Sequence, residues 1–269
     1  MEAKRTGHFQ FPGKKLTREQ LDYFDKHGVI HLRGFIDRAT VAGLLREIRA
    51  VEQYLLSHGA TKVNGIPLKF GRDVDGSVFI QRIAFASQYS LALREFLRDP
   101  RLNALTALLG DYQGRIGENE KDGLVVNHYV NTTESAFRQL GWHTDSPRDL
   151  FLGHRILPML NVGLHLDNCP YDNGGLRVLP GTHKQGIFRL LAGDLTVHDG
   201  RLWHRVAQSP EQGEKSRRRV MYIPIITGAY QPKTTDSPTP FYHKLAGLRL
   251  NPNGTRLEPQ AASPKSQGP

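Results

Sequence analysis

Residues 193–208 read GDLTVHDGRLWHRVAQ. Two short β-rich runs, LTVHD and LWHRVA, stand either side of Asp199-Gly200, a turn dipeptide. Similar runs recur from about residue 123: LVVNHYVN, PMLNVGLHL, LRVL and RRVMYIPIIT, each bounded by Gly, Pro, Asn or Asp. Many short strands at this spacing predict an antiparallel sandwich or barrel, not a βαβ fold.

The chain upstream has a different texture. LTREQLDYFDKHG (16–28) opens with a capping-box pattern, Thr17 to Gln20, and Gly28 suits a helix end. VIHLRGF follows as a short strand. Residues 37–59 place Val41, Leu44, Leu45, Ile48, Val51 and Leu55 at helical spacing, with Gly59 as the stop. SLALREFLRD and RLNALTALLG read as two shorter helices. The expected fold is mainly β: a jelly-roll (cupin-like) core flanked by α-helices from the N-terminal half. Residues 1–15 are expected to form a flexible leader, 16–250 a single domain, and the polar, Pro-rich 251–269 a disordered tail.

Composition narrows the function classes. The 269 residues carry a formal charge of +10. The positive residues are scattered, apart from Lys215 and Arg217–Arg219, and no zinc-finger, basic-zipper or RNA-binding aromatic pattern accompanies them. Nucleic-acid binding is therefore not the expectation, and the basic balance favours a small anionic substrate. No apolar run approaches a membrane span, and the first residues show no apolar signal region. The single cysteine, Cys169, excludes a disulfide within the chain and suits a cytoplasmic protein.

The chemistry-bearing residues lie in the β-rich half. GWHTDSPRDL (141–150) holds His143 and Asp145 two positions apart. In a strand such residues share a face, so both side chains can reach one ion. A third ligand must come from a distant strand. His204 is the candidate, 59 residues beyond Asp145; His198, across the same Asp-Gly turn, rivals it, and His183 is a third option. Two histidines and a carboxylate on one face of a metal form the triad of non-heme Fe(II) oxygenases.

Four blocks resemble the phytanoyl-CoA dioxygenase-like family of Fe(II)/2-oxoglutarate oxygenases. DNGGLRVLPGTHK (172–184) resembles its N-G-x-L-x-x-x-P-G-S-H segment. LTREQLDYFDKHGVIHLRGF, GWHTD and GDLTVHDGRLWHRV look like its N-terminal helix and strand, its H-x-D strand and its distal-histidine segment. The resemblance spans about residues 16–228. It implies a double-stranded β-helix and selects His204 over His198. It also implies Fe(II), with 2-oxoglutarate and O2 converted to succinate and CO2 as a C–H bond of a small molecule is oxidised. The family's halogenating members lack the carboxylate, so Asp145 makes hydroxylation the default over desaturation, epimerisation or cyclisation.

The family anchors 2-oxoglutarate with an arginine on the strand after the distal histidine. SRRRVMYIPIIT offers Arg217, Arg218 and Arg219, and alignment favours Arg218. Period two then sends Arg217 and Arg219 to the other face; a one-residue slip reverses this. Asn127 is a candidate donor to 2-oxoglutarate, and Tyr129 shares its face. Thr182 is expected to stabilise its loop, and Trp142 and Trp203 to pack in the core. Residues 69–85 and PTPFYHKL (238–245) are the expected substrate walls; Arg72, Gln81 and Arg82 either meet a polar group of the substrate or form exposed salt bridges. A zinc hydrolase and a non-catalytic jelly-roll binding module are the competing readings.

Overall fold

A computed structural model describes residues 8–11, 13–120, 122–135, 138–145, 159–169, 173–179, 186–187, 191–200 and 202–227. Thr182, His183, the 238–245 wall and the 251–269 tail lie outside the described residues. Within the stretch expected as a leader, His8–Gln10 forms strand β1. Helix α1 (Arg18–His27) leads to β2 (Val29–Arg33), which pairs with β1 in parallel. The capping box forms as read. Thr17 Oγ1 accepts from Gln20 N at 3.2 Å, and Gln20 Oε1 accepts from Thr17 N at 2.8 Å. Gly28 ends the helix at φ 71°, a left-handed conformation that favours glycine.

Helix α2 (Arg38–Ser57) starts at Asp37, whose carboxylate accepts from Thr40 N at 2.7 Å. Its stripe of Val41, Leu44, Ile48, Val51 and Leu55 is buried, each side chain contributing about 1.5–3 kcal/mol of transfer free energy. Strands β3 (Lys62–Val63) and β4 (Ile66–Pro67) form a small hairpin, and β5 (Lys69–Arg72) and β6 (Val78–Ile83) a larger one. Helix α3 (Leu91–Phe96) is capped by Ser90, and α4 (Pro100–Ala104) opens on a proline. The helix expected over 101–110 changes at Leu105 into a 3-10 stretch running to Tyr112, with Gly110 in a non-helical conformation.

The remaining strands are β7 (Arg115–Ile116), β8 (Val125–Tyr129), β9 (Leu140–His143), β10 (Met159–His165), β11 (Leu176–Val178), β12 (Gly186–Ile187), β13 (Leu195–Asp199), β14 (His204–Val206) and β15 (Arg218–Ile226). The large sheet runs β1-β2-β13-β10-β15-β8-β6-β5, with β7 on β15; the small one runs β12-β11-β14-β9. The chain passes from one sheet to the other at β8 to β9, β9 to β10, β10 to β11, β12 to β13, β13 to β14 and β14 to β15. That is the expected jelly roll. The β5–β6 hairpin, which widens the large sheet, was not anticipated as strand. It reads weakly because only six residues, VFIQRI, carry the β signal.

Helices cover one face of the large sheet. Leu160, Val162, Leu164, Val197, Met221, Ile223 and Ile225 point there and join the α2 stripe in the main core. A smaller cluster of Val29, Tyr129, Cys169, Leu176, Val178 and Val206 lies between the two sheets.

Candidate active site

His204 and His143 are direct partners in the β14–β9 pair, so their imidazoles stand side by side with ring centroids 4.2 Å apart. Asp145 follows β9 and is held by its backbone N–H, which donates to Gly200 O at 2.8 Å. Its carboxylate lies 3.7 Å from the Nε2 of both histidines. The three donor atoms fall within 4.8 Å of one another, and no other such cluster of His, Cys, Asp or Glu occurs among the described residues.

The hydrogen bonds around these side chains fix their chemistry. His143 Nδ1–H donates to Gly141 O at 2.8 Å, and His204 Nδ1–H donates to Leu202 O at 3.0 Å. With the proton on Nδ1, each Nε2 lone pair points to the shared space. Asp145 Oδ2 accepts from Asn161 Nδ2 and His198 Nε2, both at 3.1 Å, leaving Oδ1 toward His143. Burial opposes ionisation of Asp145. The His198 hydrogen bond and the imidazoles around it win, holding the carboxyl below the usual carboxylate range. Burial drives the His204 pKa down to about 3, aided by His198, so it is neutral near pH 7.

His198 stands on β13 beside Asn161 on β10, their positions paired in register. It is 0% exposed, and its Nε2 is engaged by Asp145. The two histidines flanking the Asp-Gly turn therefore differ in placement: His204 joins the donor cluster from the small sheet, and His198 holds the carboxylate from the large one. Sequence reading missed Asn161 and that use of His198. The alternation of PMLNVGLHL and LTVHD, placing polar residues on one face, was the available signal.

The arginine run divides by face. Arg217 pairs with Asp73 at 2.5 Å and Glu214 at 3.0 Å. Arg219 grips Asp167 with Nε at 2.8 Å and Nη2 at 2.7 Å. Arg218 has no carboxylate partner among the described residues. It is 2% exposed, opposite Tyr129 in register, with its guanidinium carbon 5.5 Å from that ring's centroid. Its Nη1 donates to Gly174 O and, at 2.9 Å, to Ala207 O; Nε donates to Ser216 O at 3.3 Å. Nη2 has one long contact, 3.5 Å, to Arg138 O. Gly174 sits at φ 72°, and a Cβ there would fall on the guanidinium. This explains physically why NGG carries a glycine at that position.

Tyr129, Tyr222 and Asn127 line the same face. Burial pushes the Tyr129 hydroxyl up to about 12 and raises Tyr222 well above the ordinary tyrosine value, so both are neutral donors at pH 7. Asn127 Nδ2 donates to Tyr129 Oη at 3.4 Å, while its buried Oδ1 has no partner. Of the two roles open to the 69–85 residues, the arginines take the ion-paired one: Arg72 pairs with Glu134 and Arg82 with Asp122, while Gln81 donates to Ser135. The core placement expected of the tryptophans is corrected. Trp203 is 50% exposed, and Trp142 is half-buried beneath the Arg205 guanidinium, 5.1 Å from its ring centroid. Each precedes a triad histidine and turns away from it, but that side of the small sheet is not core.

The sequence matches the phytanoyl-CoA dioxygenase (PhyH) family over residues 24–218, and the chain belongs to that family. It is 23% identical over 205 residues to a probable alpha-ketoglutarate-dependent hypophosphite dioxygenase of Stutzerimonas stutzeri, a match covering 74% of this chain and 65% of that protein. Among solved structures it is similar to the epimerase SnoN in complex with Fe3+, alpha ketoglutarate and nogalamycin RO. That match has a TM-score of 0.60 and 19% identity, covering 90% of this chain and 94% of the other. It is also similar to EctD from S. alaskensis with 2-oxoglutarate and 5-hydroxyectoine, with a TM-score of 0.60, 18% identity, and 82% and 79% covered. At these identities the structures establish the shared fold. Among the described residues no helix is long and apolar enough to cross a membrane.

Proposed function

We propose that the protein is a non-heme Fe(II), 2-oxoglutarate-dependent dioxygenase that hydroxylates a C–H bond of a small molecule. In the overall reaction R–H, 2-oxoglutarate and O2 give R–OH, succinate and CO2. The observation that carries this reading is the convergence of His143, Asp145 and His204 with both imidazole lone pairs aimed inward. The donor set suits Fe(II): two imidazoles and one carboxylate from one side leave the opposite side open. Fe(II) held there would supply O2 activation coupled to decarboxylation of 2-oxoglutarate.

The remaining work belongs to the protein. Asn161 and His198 fix the Asp145 carboxylate, as outer hydrogen-bond partners of metal ligands do. Arg218 anchors the distal carboxylate of 2-oxoglutarate through the guanidinium edge at Nη2, its other nitrogens being fixed by backbone carbonyls. Asn127 presents its unpartnered amide end, which becomes a donor when the amide turns over. The intact Asp145 favours oxygen insertion, and the basic chain favours an anionic substrate.

Succinate formation from 2-oxoglutarate by protein supplied with Fe(II), ascorbate and O2 tests the proposal. Fe(II)-dependent succinate is expected even without the true substrate, through uncoupled turnover. Its absence across a panel of small anions would count against an oxygenase. A substrate product with inverted configuration or a new ring, in place of added oxygen, would move the reading from hydroxylation to epimerisation or cyclisation.

A further inference from the structure

The arginines flanking Arg218 face a second cavity. It lies on the helix side of the large sheet, with a volume of about 210 Å3, beneath α2 where β5, β6, β8 and β15 leave the apolar core. Period two along two paired strands creates it. Tyr129 and Arg218 point to the triad side, while His128 and Arg219, also partners in register, point to this one with Arg217. The walls are apolar at Ile48, Phe79, Ile80, Ile83 and Val126.

The polar groups here are rich in unused donors. Arg217 Nε is buried without a partner, although its Nη2 reaches Asp73 and Glu214. Arg219 uses Nε and Nη2 on Asp167, which leaves Nη1 without a bond to any described residue. His128 is 8% exposed, and its Nε2 is also buried with no partner. Buried polar atoms without partners are rare in native proteins and call for an explanation. Two carboxylates share the cavity, and both are engaged: Asp73 with Arg217, and Glu52 with the Ile80 N–H at 2.6 Å. Burial raises the Glu52 pKa, and its hydrogen bond to Ile80 and the Arg217, Arg219 and Arg49 guanidinium groups oppose that shift. Arg49 adds a third guanidinium at the cavity wall.

We propose that this cavity is a second binding site, for a small oxyanion of the carboxylate or phosphate class, held by Arg217, Arg219 and His128. The site is separate from the triad and does not depend on the iron reading. Arg217 Nε and Arg219 Nη1 each offer one charged donor to such an oxyanion.

Calorimetric titration of the full chain with inorganic phosphate, and separately with succinate, tests the proposal in wild type, Arg217→Gln and Arg218→Gln. Binding is expected in wild type, weakened by about tenfold or more in Arg217→Gln, with the phosphate affinity retained in Arg218→Gln. Loss in Arg218→Gln with full affinity in Arg217→Gln places the anion in the triad cavity and overturns the proposal. So does the absence of binding by folded wild type. Because Arg217 also pairs with Asp73, a second readout uses wild type alone: nitrogen NMR of labelled histidine rings, with His128 assigned through His128→Phe. A His128 Nε2 resonance that moves during the phosphate titration supports the site, and one that stays fixed at high millimolar phosphate overturns it.

Discussion

Along β10, β13 and β15, alternate residues go to opposite faces of one sheet. Leu160, Val162, Leu164, Val197, Met221, Ile223 and Ile225 face the helices and are almost fully buried. Asn161, Thr196, His198 and Tyr222 face the small sheet, near the triad. The same backbone ladder supports both sets. The apolar face supplies the non-directional burial that stabilises the fold. The polar face costs desolvation and persists because most of its members are hydrogen-bonded: Asn161 and His198 to Asp145, Thr196 to Gly163. Stability and chemistry are thus separated by one residue of register.

Substitutions on the two faces should separate in the same way. Asp145→Ala, on the chemical side, is expected to lower succinate formation by more than about 100-fold, beyond the usual cost of losing an outer-shell partner. Its thermal midpoint without metal should fall modestly, because the buried His198 Nε2 and Asn161 Nδ2 lose their partner. Leu160→Ala, on the helix side, should cost about 2–5 kcal/mol in urea unfolding through the cavity it leaves. Fe(II)-dependent turnover per folded molecule should then be unchanged. A Leu160→Ala protein of normal stability, or an Asp145→Ala protein of normal activity, would break the division.

Smaller effects sharpen it. His198→Ala leaves Asp145 Oδ2 with Asn161 as its remaining side-chain donor. Fe(II) affinity measured by equilibrium dialysis should fall by about 10–100-fold. An unchanged affinity would show that the buried imidazole only fills space. Acidification should act on both faces. Burial holds the His128 and His165 pKa values at about 3, so the folded protein keeps them neutral while the unfolded chain protonates them from about pH 6.5. The unfolded state then binds more protons between those values. Stability from these groups is full above that window and declines as pH falls through it. The urea midpoint should drop steadily on acidification below about pH 6.5; a flat profile would contradict the burial of these histidines.

The large elements were readable because their signals are periodic. Helix α2 shows five buried residues at helical spacing between Asp37 and Gly59, and the jelly roll shows short strands punctuated by turn residues. The triad was readable because the H-x-D spacing suggests one face for His143 and Asp145, although Asp145 falls just past the end of β9, and the family blocks supplied His204. Features that depend on the meeting of distant strands were not readable. Nothing near Asn161 announces that it will sit beside His198 and grip Asp145. The run Arg217–Arg219 contains three identical side chains; alignment favours Arg218, a one-residue slip would reverse the faces, and the pairing of Arg218 with Tyr129 sets the register. Trp203 illustrates a different failure: its residue type suggests core, but the outer side of the small sheet leaves it half exposed.

The assignment of faces in that run is tested most directly by an anaerobic titration with 2-oxoglutarate of Fe(II)-loaded wild type and Arg218→Gln. The variant is expected to retain Fe(II) while its affinity for 2-oxoglutarate falls by about tenfold or more, as loss of a charge-assisted contact requires. A folded Arg218→Gln protein that binds 2-oxoglutarate as tightly as wild type would contradict the placement of Arg218 on the chemical face.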